Sequence, residues 1–324
     1  IITLKIKVFL KGDRFMGFDI SVLIDQMKII ATLMLIGFIW KRSRLFNDDL
    51  VNSLSAILAK LILPLMLTTV IGSVSKTELT QGIKIFLATL IFYTTIIVLS
   101  KVITHFGKAD PAIKRMDVLL QCFGNSGFVG VPLIISIFGD KAGIVAAAYT
   151  LVDASVYWLV GPNLLSKSKK LDFKKLVTPL TISILLGFVI VLLPIDLSEN
   201  IVWATAKNVG GTAKYFASIY IGMAVARMDM TRLKNNLRSV FAAPMKLVIV
   251  PLLAYFIIGK TGFLSGDVLT MFIILCASPT GMMVPVIAEV AGESTGEYAS
   301  VGVIISTVLC LVSLPFMMWM ISML

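Results

Sequence analysis

Residues Gln121–Asp140 read QCFGNSGFVGVPLIISIFGD, a stretch apolar enough for a membrane but with a centre unfit for a continuous helix. Gly124, Gly127, Gly130, the pair Asn125-Ser126 and Pro132 fall within nine residues. Glycine weakens a helix, and proline removes a backbone donor and clashes with the preceding turn. In hydrocarbon a broken backbone is tolerated only where it is buried in protein or lines a cavity. A broken spanning helix is therefore expected here, and with it a site.

The rest of the composition sets the class. Hydrophobic residues make up 58% of the chain and charged residues 15%, and mean hydropathy is +0.96, far from a soluble average. Apolar windows of about twenty residues, the length a spanning helix needs, recur throughout. The expected fold is an all-α polytopic membrane protein. Cys122, Cys276 and Cys310 all lie in apolar windows, which argues against a disulfide framework. A single histidine, His105, leaves little scope for a metal site or a Ser-His or Cys-His pair, so no catalytic residue, metal ligand or cofactor is expected.

Ten spans follow, at about 20–40, 50–73, 81–103, 113–138, 142–165, 177–194, 203–226, 239–258, 267–291 and 297–322. Asp110-Pro111 is a start signal for the fourth, while Lys207, Asn208, Gly210, Gly211 and Lys214 interrupt the seventh. Residues 1–19 read as a tail, with 1–15 as an extension carrying no function ahead of a more natural start at Met16. The loops after spans one, three, five and seven hold sixteen basic residues against four in the opposite loops. That asymmetry places the first set in the cytoplasm and both termini outside. The net charge of +11 is thus a topology signal and calls for no nucleic acid.

A shift of 153 residues lays VPLIISIFGDKAG (Val131–Gly143) over VPVIAEVAGESTG (Val284–Gly296). Pro132 falls on Pro285, Gly139 on Gly292, Gly143 on Gly296, and Asp140 on Glu293. The same shift lays spans one to five over six to ten, giving repeats at 20–165 and 177–324 joined by a cytoplasmic linker at 166–176. Five is odd, so the two repeats have opposite orientations. Inverted repeats with interrupted helices at matching positions point to a secondary transporter.

The second break reads CASPTGMMVP (Cys276–Pro285). Pro132 and Pro285 suit the first turn of a new half-helix, whose free N–H groups and positive dipole end would face the centre. Such a pair favours an anion, most simply a carboxylate, bound by Asn125, Ser126, Gly127, Pro132, Ser278, Thr280, Gly281 and Pro285; the plainer alternative is a packing kink. Intramembrane charges are the candidates for coupling or charge pairing: Asp153, Lys60 and Lys214, with H⁺ or Na⁺ as the coupling ion. Lys207 and Lys246 are as readily explained by snorkelling.

FGNSGFVGVPLIISIFG resembles the GN-x-GF-x-G-x-P-L signature of the auxin efflux carrier family, as found in its bacterial malate and malonate permease-like members. LILPLML (Leu61–Leu67) and SPTGMMVPVIAEVAG are also similar to that family. The resemblance implies a ten-helix fold of two inverted five-helix repeats, helices four and nine crossing as broken helices, and a scaffold part beside an elevator-like transport part. It shares this architecture with bile-acid/sodium symporters, which makes a sodium-coupled organic-anion symporter the alternative function; a membrane-embedded enzyme is the alternative of another class. By the resemblance Asn125 falls on the asparagine that contacts the substrate carboxylate, and Pro132 and Pro285 on the crossover prolines. The long cytoplasmic loop of plant members is absent, and Lys214 stands where an uncharged residue is expected. The implied partners are a small organic anion, the bilayer of the plasma membrane and, by analogy, a second copy in a homodimer.

Overall fold

The computed structural model describes residues 14–15, 18–43, 47–165, 173–193, 196–197, 199–228, 230–290 and 295–324. Most of the expected tail, most of the linker, Arg44, and Gly292 and Glu293 of the repeat lie outside the described residues. Apart from a two-residue strand pair, Arg14–Phe15 with Phe18–Asp19, the described chain is helical.

Among the described residues six helical runs are long and apolar enough to cross a membrane: α1 (Ile20–Arg42), α2 (Asp48–Gly72), α3 (Lys76–His105), the run Ser126–Leu165, Leu237–Gly259 and Gly296–Ser322. Leu35 and Val312 on these runs, and Leu185 and Leu186 on the shorter apolar helix Pro179–Leu192, are each more than half exposed, a surface suited to lipid and not to water. The other expected spans are shorter or divided. Pro111–Cys122 (α4) ends where the opening stretch begins. The run Ser126–Leu165 contains Val131–Phe138 (α5), stops at Gly139 with φ +61°, and resumes as Gly143–Ser155 (α6). Pro179–Leu192 (α7) follows, then Ile201–Gly211 (α8) and Ala213–Ala226 (α9), divided at Thr212 within the span whose glycines and lysines predicted an interruption. Met230–Asn235 (α10) leads into Leu237–Gly259 (α11), Gly266–Cys276 (α12), Val284–Val290 (α13) and Gly296–Ser322 (α14).

Local chemistry sets these boundaries. Asp19, Asn47, Asp110 and Asn200 cap α1, α2, α4 and α8, each side-chain oxygen accepting from a first-turn N–H. Four wide π turns, Leu58–Ile62, Ser126–Gly130, Val156–Val160 and Met245–Ile249, each end two residues before a proline: Pro64, Pro132, Pro162 and Pro251. A proline ring displaces the carbonyl four residues back, and widening the turn lets the residue ahead of it donate five residues back instead. Leu63, Val131, Gly161 and Val250 all do so.

The packing pairs follow the repeat. α1 lies along α9 and α2 along α7; a shift of 153 residues carries the first pair onto the second. α3 against α6 maps in the same way onto α11 against α14. At the α1–α9 seam the backbones touch: a Cβ on Gly37 would lie 2.1 Å from the Ile219 carbonyl oxygen, and one on Gly222 1.9 Å from that of Met34. Helices in lipid associate through such close van der Waals contact, because apolar burial from water does not drive them together.

Candidate substrate site at the crossing

Helix α4 stops at Cys122 and α12 at Cys276, and the two breaks run antiparallel past each other, with Gly124 opposite Thr280. The Asn125 N–H donates to the Pro279 carbonyl at 2.7 Å, and the Gly281 N–H to the Phe123 carbonyl at 3.0 Å. Each break thus supplies the backbone partners that the other lost on leaving its helix, which meets the demand that buried peptide groups be paired. Two side chains serve the orphaned helix-end carbonyls: the Thr280 hydroxyl donates to Leu120 O at 2.8 Å, and Lys246 Nζ to Cys276 O at 3.1 Å. The contact is too close for side chains at certain positions. A Cβ on Gly281 would lie 2.7 Å from the Tyr157 hydroxyl, and one on Gly130 2.6 Å from Ser278 Oγ.

A cavity of about 100 Å³ opens beside the first break. Asn125, Ser126, Gly127 and Phe128 line it from one side, Gly281, Met282 and Met283 from the second break, and Thr150, Asp153, Tyr157 and Trp158 from α6 and its extension. Asn125 is 3% exposed; its Oδ1 caps the Phe128 N–H at 3.4 Å and its Nδ2 has no hydrogen-bond partner. The Thr150 hydroxyl is likewise buried without a partner. Asp153 accepts from Ser126 Oγ at 2.5 Å and from the Tyr93 hydroxyl of α3, tying the start of the half-helix to two neighbours.

Several sequence expectations are altered by this geometry. The first half-helix begins at Ser126, capped by Asn125, and Pro132 lies a turn and a half inside it; the free N–H groups precede the proline because the π turn takes up its clash. Pro285 does stand in the first turn of α13, but it faces a second cavity, of about 240 Å³, with Tyr220, Arg227, Arg232 and Glu297. Of the eight candidate binding residues, Asn125, Ser126, Gly127 and Gly281 line the first cavity. Ser278 and Thr280 are buried behind it, bonded to the Ile274 and Leu120 carbonyls. Asp153 is paired with neither lysine proposed for it: Lys60 is exposed on the outer face of α2, and Lys214 donates to Gln26 Oε1 at 2.8 Å. Lys207 bridges Asp140 at 2.8 Å on the surface.

The buried lysine is Lys246, 0% exposed, which snorkelling does not describe. Sequence reasoning gave it no role, and it missed Tyr93 and Tyr157 altogether. A signal existed: Tyr93 and Lys246 stand 153 residues apart, as do Asp153 and Ser306, whose hydroxyl accepts from the Thr280 N–H at 3.1 Å.

An apolar helical chain with two broken segments crossing at a buried polar cavity has the build of a membrane transport protein. A family model described as a membrane transport protein matches residues 22–173 and 163–318, nearly the whole chain. The chain belongs to that family, the auxin efflux carrier family. Among curated proteins no match is found.

Proposed function

We propose that the protein is a secondary carrier for a small organic anion, most simply a carboxylate such as malate or malonate, working by alternating access around the crossing. The observation that carries this reading is Asn125 Nδ2, a buried donor without a partner beside a cavity at the start of a half-helix. An unpaired buried amide costs about 1–3 kcal/mol, so its retention calls for an acceptor that arrives from outside. The dipole and N–H groups of the half-helix select an anionic one. The paired packing of α1 with α9 and α2 with α7 supports two inverted five-helix repeats. In that arrangement α1, α2 and α7–α9 form the scaffold, and the remaining helices move with the crossing. The basic loops then face the cytoplasm of a plasma-membrane carrier with both termini outside.

The test is a thermal-shift screen of purified protein against mono- and dicarboxylates, followed by uptake of the best ligand in proteoliposomes. A ligand of the folded state raises the melting temperature with concentration. Asn125→Ala is expected to abolish both responses while the protein stays folded; unchanged uptake by this variant would sink the reading.

A further inference from the structure

Lys246 is a charged group at the crossing that the carrier reading leaves unused. It sits in the π turn Met245–Ile249 of α11, fully buried, where an unpaired ammonium is costly in a protein interior and more so at membrane depth. Its Nζ donates to the carbonyl of Cys276, the last residue of α12, where the dipole is negative; the Ile273 and Leu275 carbonyls accept from the Ala277 and Ser278 N–H groups and that of Ile274 from the Ser278 hydroxyl, which leaves the Cys276 oxygen to the ammonium. Gly124 of the other break leaves the room: a Cβ there would stand 3.1 Å from Nζ and 3.8 Å from the Leu275 carbonyl oxygen. Asp153 is the acid within electrostatic reach, and no direct ion pair joins the two among the described residues. In general, the carbonyl end of a broken half-helix beside unwound backbone is where transporters seat a coupling cation.

We propose that the Lys246 ammonium is a resident cation, tethered on the carbonyl end of α12 in the place a bound monovalent ion would otherwise fill, so that the crossing loads its anion without Na⁺. Tethering removes the need to bind and release a metal ion with each cycle, because the charge travels with α11. It also accounts for glycine at 124, since any side chain there meets the ammonium.

The test begins with melting temperatures of purified protein, using inorganic and small organic cations alone. Wild type should melt at the same temperature in NaCl and in choline chloride at equal ionic strength. Lys246→Ala opens a space at the Cys276 carbonyl; it should melt lower and be raised saturably by Na⁺ or methylammonium but not by choline. Saturable Na⁺ stabilisation of wild type overturns the proposal, as does a Lys246→Ala protein that responds to neither small cation. Where Lys246→Ala does not fold, Lys246→Gln serves in its place, keeping a donor to Cys276 without the charge. Its carboxylate uptake should fall about tenfold or more, as for loss of a desolvated charge, and uptake retained within about twofold overturns the proposal. This second arm rests on the anion-carrier reading. The melting arm does not, so a failure of either idea is seen separately.

Discussion

Gly130→Ala is the sharpest probe of how closely the two breaks must approach. The added methyl would lie 2.6 Å from Ser278 Oγ and 2.9 Å from Leu275 Cδ2, both inside any real contact distance. Ser278 and Leu275 are 0% exposed, so neither side chain has space to withdraw. Overpacking of this kind costs about 1–3 kcal/mol. Replacing glycine in a helical turn returns about 0.5–1 kcal/mol, leaving a net loss of at most about 2.5 kcal/mol. Ser278→Ala alone is mild, because its hydroxyl makes only a 3.3 Å bond to the Ile274 carbonyl in the last turn of the preceding α12.

Combining the two substitutions removes the nearer clash and leaves only the Leu275 contact. The double variant should therefore recover part of the loss, a coupling of at least about 0.5 kcal/mol in favour of the pair. The assay is equilibrium unfolding in mixed micelles for wild type, both single variants and the double variant. Strict additivity, with coupling below about 0.3 kcal/mol, refutes direct contact between the two breaks at this point. Carboxylate binding should follow the same order, since separating the breaks moves Gly281 away from Asn125.

Gly222→Ala forces a methyl within 1.9 Å of a backbone oxygen on α1, which cannot rotate away. It should destabilise by about 3 kcal/mol or more, whereas Gly211→Ala, which meets nothing within 4 Å, leaves the melting temperature nearly unchanged. A melting temperature lowered equally by both would contradict the α1–α9 seam. Asp153→Asn keeps the shape of the carboxyl and an acceptor for Ser126 or Tyr93 but cannot take up or release a proton. We expect carboxylate exchange across proteoliposomes to persist and accumulation driven by a proton gradient to be lost; accumulation at the wild-type level would remove Asp153 from coupling.

The breaks were legible in the sequence because they are written in backbone chemistry. The glycines Gly124 and Gly127, Asn125 and Pro132 disfavour a helix for three separate reasons, and Asp110-Pro111 marks a helix start that the structure places at Pro111. Where the half-helix begins was less legible. Pro132 reads as a first-turn residue, whereas the proline acts backwards and widens the turn from Ser126 to Gly130. Which charges are buried was not legible at all. Lys60 and Lys246 both sit in apolar windows four or five residues from a proline, yet one faces outward and the other inward. Depth along a helix can be counted from the sequence. Rotation about its axis cannot when the helix is apolar all round, because no polar stripe marks the outer face.

The repeat supplies the missing coordinate, and it also shows where the two halves part in chemistry. Tyr93 and Lys246 occupy equivalent positions, as do Asp153 and Ser306, and all four reach towards the crossing. One half therefore presents a phenol and a carboxyl, the other an ammonium and a hydroxyl. A symmetric pair of carboxyls would repel an anionic substrate, and a symmetric pair of ammoniums would bind it too firmly to release. One of each places a carboxyl and an ammonium at the crossing, each bonded to its own partners: Asp153 to Ser126 and Tyr93, Lys246 to the Cys276 carbonyl. For a substrate of the kind proposed, the charge it would meet beside Asn125 depends on whether Asp153 holds a proton, while Lys246 stays bonded to the end of α12. The two repeats thus diverge at these four positions, so the groups they present at the crossing are not two-fold symmetric although the backbones that carry them follow the repeat.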